Sequence, residues 1–234
     1  MIPLRDDNPT EITPVVTVAT IVMCVLVFLY EISLPAQRNE AFVYMYGAIP
    51  AVVFGHVQLP PELMSLPAYG TLFSSMFLHG GWMHLIGNML YLWIFGNNIE
   101  DIMTRVRFVV FYVACGIIAA LAHAIPNADS TIPMIGASGA ISGVLGAYLL
   151  VYPRARILVL IPLGFISQLI RMPAIVVLGF WFVLQLISTA LSDSSGGGVA
   201  WGAHLGGFVA GVVLIPFFKR RDVSLFHKKT GTRD

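Results

Sequence analysis

Six apolar runs divide this chain of 234 residues into segments long enough, or nearly long enough, to cross a lipid bilayer as helices. They are predicted at about 13–30, 82–97, 106–125, 137–151, 173–191 and 200–218. Hydrophobic residues make up 57% of the chain and charged residues 11%, and the mean hydropathy is +0.83. Soluble domains carry about 25% charged residues. The sequence therefore predicts an all-α polytopic membrane protein, a six-transmembrane-helix bundle.

Several of these runs are shorter than the roughly 20 residues that cross the hydrocarbon layer. The runs at 82–97 and 137–151 are expected to end inside the membrane, wrapped by protein or facing a water-filled cavity. A further apolar run, Ile157 to Ile170, is interrupted by Pro162 and Gly164, and we interpret it as an interfacial segment. The net charge of +1 gives no reason to expect nucleic acid as a partner.

The distribution of basic residues predicts the orientation of the bundle. With six spans, one side of the membrane receives Arg5, Arg105, Arg107, Arg154, Arg156, Arg171, Lys219, Arg220, Arg221, Lys228, Lys229 and Arg233. Only Arg38 falls on the other side, so the positive-inside rule predicts that both termini are cytoplasmic. The predicted organisation is a short cytoplasmic N-terminus (1–12), a helical domain (13–218) and a basic cytoplasmic tail (219–234). The first span lacks signal-peptide features and is expected to be retained.

The long connection at about 31–81 is then extracytoplasmic, and its many apolar and aromatic residues predict that it lies in the membrane interface. The two cysteines, Cys24 and Cys115, fall in apolar spans and are expected to be buried and unpaired.

A few polar residues interrupt the apolar segments, and the predicted topology gathers them near the outer face. They are His79, His84, Asn88, Ser138 and His204. Polar groups in membrane segments are costly and usually functional. Ser138 at the start of a helix, with His204 as base, indicates an activated nucleophile beside free backbone N–H groups. His84 and Asn88 share one helix face at i, i+4 and are suited to stabilise an oxyanion.

Each of these residues also has a structural interpretation. A lone serine in a helix usually packs or bonds to its own backbone, which applies to Ser138 taken alone. His84 taken alone is typical of a polar bridge between helices, and His79, in a Gly-Gly turn, is expected to be structural. The three histidines also suggest a metal site, but the five-residue spacing of His79 and His84 disfavours one.

A third member of the catalytic set is not evident in the sequence. All carboxylates are predicted to lie in loops or termini, and of these Asp129 and Asp193 are expected to be solvated. The favoured arrangement is therefore a Ser-His dyad. Small residues support a close approach of its two helices, because Gly139, Gly143 and Ala147 form one face and Ala203, Gly207 and Gly211 another.

Three motifs together resemble the rhomboid intramembrane serine proteases. They are Phe77-Leu78-His79-Gly80-Gly81-Trp82-Met83-His84-Leu85-Ile86-Gly87-Asn88, Gly136-Ala137-Ser138-Gly139 and Ala203-His204-Leu205-Gly206-Gly207. The similarity spans about residues 70–218. It implies a six-helix bundle with Ser138 as nucleophile and His204 as general base. It assigns the oxyanion hole to His84, Asn88 and the backbone N–H of Ser138, and gives structural roles to His79, Gly136 and Gly139.

The resemblance further implies substrates that are single-pass membrane proteins, cut near the outer end of the transmembrane segment. It implies no metal or organic cofactor and a plasma membrane location, in a bacterial inner membrane. Two positions depart from the family pattern. Gly70-Thr71 replaces a Trp-Arg pair, with Tyr69 as a partial substitute, and Ser142 replaces an aromatic residue that stacks on the histidine.

Two other functions are alternatives to proteolysis for this chain. A catalytically inactive relative that binds transmembrane helices would be expected to lack Ser138 or His204. A transporter would be expected to contain inverted repeats or paired broken helices, which the sequence does not contain. For a protease, the fifth span and the connection at 192–199 are the candidate gate for substrate and water. The sequence does not indicate an oligomeric state.

Overall fold

The computed structural model describes residues 1–163, 166–191 and 201–226, and helices dominate this part of the chain. In chain order the helices are α1 (Val15–Ser33), α2 (Ala36–Tyr46), α3 (Pro50–Val53), α4 (Thr71–Ser74), α5 (Trp82–Tyr91), α6 (Asn97–Asp101), α7 (Arg105–Ala124), α8 (Ser138–Val151), α9 (Ala174–Leu191) and α10 (Trp201–Phe218). A π-helical segment, Leu92–Gly96, joins α5 to α6. All six apolar runs identified in the sequence are therefore helical.

Within the part of the chain that the structure describes, three stretches are both long and apolar enough to cross a membrane: Val15–Ser33, Arg105–Asn127 and Trp201–Phe218. Two shorter apolar helices, Ser138–Val151 and Ala174–Ser188, lie between the last two of them in the chain. The chain is thus a multi-pass membrane protein of mostly helical fold. Six crossings remain a prediction, because length and composition alone establish three.

Helix α8 is the centre of the bundle and is buried along nearly its whole length. It packs against α10 through glycines, as the small-residue faces predict. A β-carbon at Gly207 would overlap the carbonyl oxygen of Gly139, and one at Gly211 would overlap that of Gly143. On another side of α8, a β-carbon at Gly143 would lie 2.5 Å from Cys115 Sγ of α7. The absence of side chains at these positions is what allows the helices to approach so closely.

The start of α1 is capped by a residue far away in the sequence. Pro14 precedes the helix and provides no capping side chain. Instead the buried Glu100 accepts hydrogen bonds from Val16 N–H (2.9 Å) and Thr17 N–H (2.8 Å), and from the Thr17 hydroxyl (2.8 Å). These bonds satisfy N–H groups that no turn of the helix can reach. The prediction that every carboxylate lies in a loop or terminus is therefore wrong.

A small antiparallel sheet corrects the all-α prediction. Strands β1 (Ile2–Asp6), β2 (Arg156–Leu163) and β3 (Ile166–Pro173) pair in the order β1-β2-β3. The described residues of the apolar run at 157–170 are not helical. They form β2 and most of β3, with Ile157 and Val159 buried against the helices. The N-terminus supplies the third strand, which satisfies the free edge of β2.

The loops that connect the helices are hydrogen-bonded to one another at two opposite ends of the bundle. At one end Asp7 N–H donates to Arg156 O (3.0 Å) and Arg220 N–H donates to Ile102 O (2.8 Å). At the other end Ala48 pairs with Met134, and Ala51 N–H donates to Ser130 O (3.0 Å). Of the basic residues that the sequence analysis assigns to the cytoplasm, Arg5, Arg156 and Arg220 lie at the first end.

Candidate functional site

The turn before α8 forms one side of the candidate site. Gly136 has φ +121°, a conformation open mainly to glycine, and its N–H donates to Ser75 O (2.8 Å). A β-carbon at Gly136 would lie 2.7 Å from both Cε1 and Nε2 of His84. Ser138 is the first residue of α8 and is half-buried. The first N–H groups of this helix have no acceptor within the helix and point toward the turn.

The tautomer of His84 follows from its neighbour in the preceding loop. Gly80 N–H donates to His84 Nδ1 (3.3 Å), so the neutral ring carries its proton on Nε2. This same Nε2 is the atom that borders Gly136. His84 therefore presents an N–H donor beside the turn that leads into Ser138.

A second donor lies at the same place. Asn88 follows His84 by one helical turn and is buried. Its Nδ2 lies 3.7 Å from the β-carbon position of Gly136 and has no hydrogen-bond partner within the part of the chain that the structure describes. A buried unpaired amide donor is costly, so its retention calls for a functional explanation.

His79 packs against His84 and is itself fixed by two hydrogen bonds. Its backbone N–H donates to Glu31 Oε2 (3.2 Å) and its Nδ1 donates to Phe77 O (3.2 Å). Its ring packs edge-on against His84, with centroids 5.2 Å apart. Burial, with a smaller contribution from His84, lowers the pKa of His79 to about 4, so the ring is neutral at pH 7. Glu31 is a second helix carboxylate that the sequence prediction assigned to a loop.

His204 is held by α9, which the sequence analysis did not foresee. Its Nδ1 lies 2.7 Å from Gln185 Oε1, and both side chains are buried. The rings of Trp181 and Trp201 lie beside the imidazole, with centroids 6.1 and 5.8 Å away. Gln185 is an amide within an otherwise apolar run. The criterion that singled out His84 and His204 would have found it.

The helices that carry Ser138 and His204 touch at the adjacent residues. A β-carbon at Gly139 would lie 4.0 Å from Ala203 Cβ, and Gly207 packs on Gly139. The hydrogen bonds of the described residues do not include one between Ser138 Oγ and His204. The helices therefore meet one residue away from both Ser138 and His204, and these two side chains are not hydrogen-bonded to each other in this structure.

The two departures from the family pattern have structural consequences. Ser142 donates to the Ser138 carbonyl (2.7 Å), while the tryptophans and Gln185 contact His204. Tyr69 is 70% exposed, so it does not anchor the first loop. That loop is instead held by Ser74, whose hydroxyl donates to Tyr46 O (2.6 Å), and by the bond between Ser75 and Gly136.

The predicted loop carboxylates lie apart from the site. Asp129 is exposed and bonds His56 Nδ1 (2.7 Å), not His204. Asp193 and the candidate gate at 192–199 fall outside the described residues. Cys24 and Cys115 are buried and unpaired.

Fold and site together define a helical membrane protein with a serine, two histidines and an asparagine gathered around one helix N-terminus. A sequence model of the rhomboid domain matches residues 67–221. This match covers more than half of the chain, which therefore belongs to the rhomboid family.

Curated relatives agree with this assignment. The chain is 29% identical over 191 residues to Rhomboid protein 1, mitochondrial, of Saccharomyces cerevisiae, covering 73% of this chain and 51% of that protein. It is 32% identical over 197 residues to Rhomboid protease GluP of Bacillus subtilis, covering 77% and 35%. It is 30% identical over 151 residues to Presenilin-associated rhomboid-like protein A, mitochondrial, of Danio rerio, covering 61% and 36%. The chain thus spans about half or less of the length of these relatives.

Proposed function

We propose that the protein is an intramembrane serine endopeptidase with Ser138 as nucleophile and His204 as general base. The observation that carries the proposal is the pair of donors beside the Gly136 turn, His84 Nε2–H and the unpaired Asn88 Nδ2. Two preorganised donors next to a half-buried serine at a helix N-terminus suit a developing oxyanion. The family assignment and the relative named a rhomboid protease support the same chemistry.

The reaction proceeds by acyl transfer. His204 Nε2 accepts the proton of Ser138 as its Oγ attacks the scissile carbonyl. The oxyanion is stabilised by His84 Nε2–H, Asn88 Nδ2 and the backbone N–H of Ser138. The proton then passes from His204 to the leaving amine, and water hydrolyses the acyl-enzyme. Ser138 and His204 must approach each other on substrate binding, as catalytic hydrogen bonds often tighten only in the substrate complex.

The proposed substrates are single-pass membrane proteins, cut near the outer end of the transmembrane segment. In the proposed topology of six crossings with both termini in the cytoplasm, the site lies beneath the outer face of the membrane, which we propose to be a bacterial plasma membrane. Water must reach a site that lipid would keep dry, which requires a polar cavity and a movable wall. Helix α9 is the proposed wall, and side chains on its outer face, such as Phe180, Val183 and Leu186, are exposed.

The test is labelling of detergent-purified protein with a fluorescent fluorophosphonate. Wild type is expected to be labelled, and Ser138→Ala and His204→Ala are expected to lose the label while their thermal unfolding is unchanged. Ser142→Ala is the matched control, because Ser142 lies one turn later on α8 and bonds only a backbone carbonyl among the described residues. It should keep the label.

The same variants are then tested for cleavage of a single-pass membrane protein reconstituted with the enzyme. Loss of cleavage in Ser138→Ala and His204→Ala supports the proposal. If wild type neither labels nor cleaves while a control serine hydrolase reacts in the same detergent, the protease function is wrong. A helix-binding role would then be favoured.

A further inference from the structure

We propose that Gln185 is the positioning residue of His204, so that the site works as a Ser-His-Gln triad rather than a dyad. The inference rests on the proposed function. Gln185 and His204 lie on neighbouring helices, α9 and α10, and the Gln185 Oε1 to His204 Nδ1 distance is 2.7 Å. Only 7% of Gln185 and 9% of His204 is exposed.

The orientation of Gln185 follows from the faces of α9. The residues on either side of it (Val183, Leu184, Leu186 and Ile187) are exposed, whereas Leu178 and Gln185 are buried. Residues 178, 181, 182 and 185 share one face at helical spacing. The helix therefore directs a single amide inward, next to Trp181, and directs apolar side chains at the lipid.

The contact with Gln185 determines which ring nitrogen of His204 can act as the base. An amide oxygen only accepts hydrogen bonds, so Nδ1 must carry the ring proton. Nε2 then bears the lone pair that takes a proton from Ser138. His84 is held in the opposite tautomer by Gly80, with its proton on Nε2. The two imidazoles are thus fixed in the complementary roles of acceptor and donor.

The membrane explains why an amide, and not a carboxylate, occupies this position. A carboxylate between α9 and α10 would carry the large cost of an ionised group within the membrane. A neutral amide oxygen orients the imidazole and stabilises the imidazolium more weakly, without that cost. Ser142 does not orient His204, because its hydroxyl donates to the Ser138 carbonyl oxygen. The residue that orients His204 therefore comes from α9.

The experiment compares Gln185→Met, Gln185→Glu and wild type in cleavage of a reconstituted transmembrane substrate from pH 5 to 9. Methionine keeps the length of the side chain but accepts no strong hydrogen bond. It is expected to lower kcat by about 10- to 100-fold, with KM little changed, as for loss of one hydrogen bond that strengthens in the transition state. Ser188→Ala, on the same helix, is the control and should behave as wild type.

Gln185→Glu provides a readout that a purely structural role would not change. A carboxylate can accept the same bond and favours imidazolium, so kcat should recover relative to methionine. The acidic limb of the kcat/KM profile should move to higher pH. Similar rates and an identical pH profile for wild type and Gln185→Met would overturn the positioning role. Equal losses of kcat in both variants, with unfolding temperatures unchanged from wild type, would also overturn it.

Failure of this inference is distinguishable from failure of the proposed function. An inactive wild type would refute the protease function itself. A wild type that is active, requires Ser138 and does not depend on Gln185 would refute only the triad.

A different region carries a second inference. We infer that the outward face of the three-stranded sheet binds the headgroups of anionic phospholipids. Arg5 of β1 pairs with Leu158 of β2, which pairs with Arg171 of β3, so the two arginines flank Leu158 in one row. Arg156 lies two residues before Leu158, on the same face. These four residues line a cavity of about 180 Å³ together with Asp6 and Asp7.

The two acidic residues of this cavity are already engaged. Asp6 Oδ2 accepts from Tyr148 Oη (2.6 Å) and Asn98 Nδ2 (2.9 Å), and Asp7 Oδ1 accepts from Arg156 N–H (2.9 Å). Three arginines against two such carboxylates leave the cavity with an excess of positive charge. Arginine side chains bind phosphate oxygens in a bidentate manner.

The next row of the same face is apolar. Ile2 pairs with Leu160, which pairs with Leu169, and Ile2 and Leu169 are exposed. Rows two residues apart along a strand are separated by about 7 Å. Interfacial elements insert by about 5–10 Å into the boundary between headgroups and acyl chains. The spacing of the two rows therefore allows the apolar row to lie among the acyl chains while the arginine row lies at the phosphates. An apolar row beside the arginine row favours binding to a lipid surface over binding to free phosphate, which has no apolar part.

The first test is the affinity for phosphatidylglycerol, measured by native mass spectrometry of the purified protein. Arg5→Gln/Arg171→Gln should weaken binding about fivefold per charge removed. Arg105→Gln/Arg107→Gln, two exposed charges assigned to the same side of the membrane, is the matched control. Equal losses in the two double variants would overturn a specific site, as would displacement of the lipid by millimolar inorganic phosphate.

A spin label at Leu169→Cys reports the depth of the sheet, because the native Cys24 and Cys115 are buried and should not react. In vesicles this label should be accessible to oxygen and protected from a water-soluble nickel reagent. A label at the exposed Asp222→Cys is the aqueous reference. Equal access of the nickel reagent to both labels would overturn the inference.

Discussion

Single residues at the Gly136 turn determine whether His84 and Asn88, the two proposed oxyanion donors, can occupy their positions. In Gly136→Ala the new β-carbon would lie 2.7 Å from the His84 ring, and alanine is strained at φ +121°. We expect His84 to be displaced and cleavage to fall by about 100-fold or more, since a 1 Å misplacement can cost that much. Cleavage assays and thermal unfolding of the same preparation provide the measurement.

Gly87→Ala is the matched control for this change. Gly87 lies in α5 between His84 and Asn88, and a β-carbon there meets nothing within 4 Å. The variant should retain activity and gain about 0.5–1 kcal/mol of stability from the higher helix propensity of alanine. If both glycine variants retain activity, the geometry of the turn is not required for catalysis.

Asp6, in strand β1, makes stability depend on pH. Burial raises the pKa of Asp6 to about 6, although the hydrogen bond from Tyr148 opposes the shift. The folded state therefore holds this proton more tightly than the unfolded chain, whose aspartate titrates near 3.8. Stability from this group is fully present below about pH 4 and is lost as the pH rises through about 6, by at most about 3 kcal/mol.

Asp6→Asn removes this titration, and thermal unfolding in detergent from pH 4 to 7 provides the measurement. The wild-type midpoint should fall across this range by more than that of the variant. Asp7 lies beside Asp6 and raises its pKa slightly, so Asp7→Asn should reduce the slope only a little. Parallel curves for wild type and Asp6→Asn would contradict the assignment.

At the scale of elements, the contact between α8 and α10 holds the site together. A β-carbon at Gly211 would overlap the Gly143 carbonyl oxygen. Gly211→Ala should push the helices apart and lower the free energy of unfolding by about 1–3 kcal/mol, the usual cost of overpacking. Thermal unfolding and fluorophosphonate labelling should both decline, because the separation also moves His204 away from Ser138.

Gly179→Ala on α9 is the matched control, since a β-carbon there meets nothing within 4 Å. An unchanged unfolding temperature for Gly211→Ala would contradict the close packing. The same elements link the base to the proposed movable wall. Because Gln185 belongs to α9, opening of this helix would release His204 as well as admit substrate.

For the whole molecule, the testable quantity is the side of the membrane on which each end lies. Met64 is exposed in the long connection before α4, and Asp222 is exposed after α10. In spheroplasts of an expression host, Met64→Cys should react with an impermeant maleimide, and Asp222→Cys only after the membrane is opened. The buried native cysteines keep the background low. Reaction of both variants from outside would contradict six crossings with cytoplasmic termini.

The six long apolar runs alone predicted α1, α5, α7, α8, α9 and α10, because a helix satisfies its backbone hydrogen bonds without a partner segment. The short helices α2, α3 and α4 did not follow from them. Each of the six runs begins and ends within a few residues of its helix. The motifs around His84, Ser138 and His204 identified the family, and predicted the polar residues of the candidate site, for a related reason. Polar groups are rare in such runs and therefore conspicuous.

Only the tertiary structure decided the features that depend on pairing distant segments. Strand β1 is recognisable only beside β2, about 150 residues later, since a single strand has no hydrogen bonds of its own. Glu31 and Glu100 are tolerated in the helical region because backbone N–H groups from distant segments bond them. The partner of His204 depends on how α9 rotates about its axis, which packing determines and composition does not.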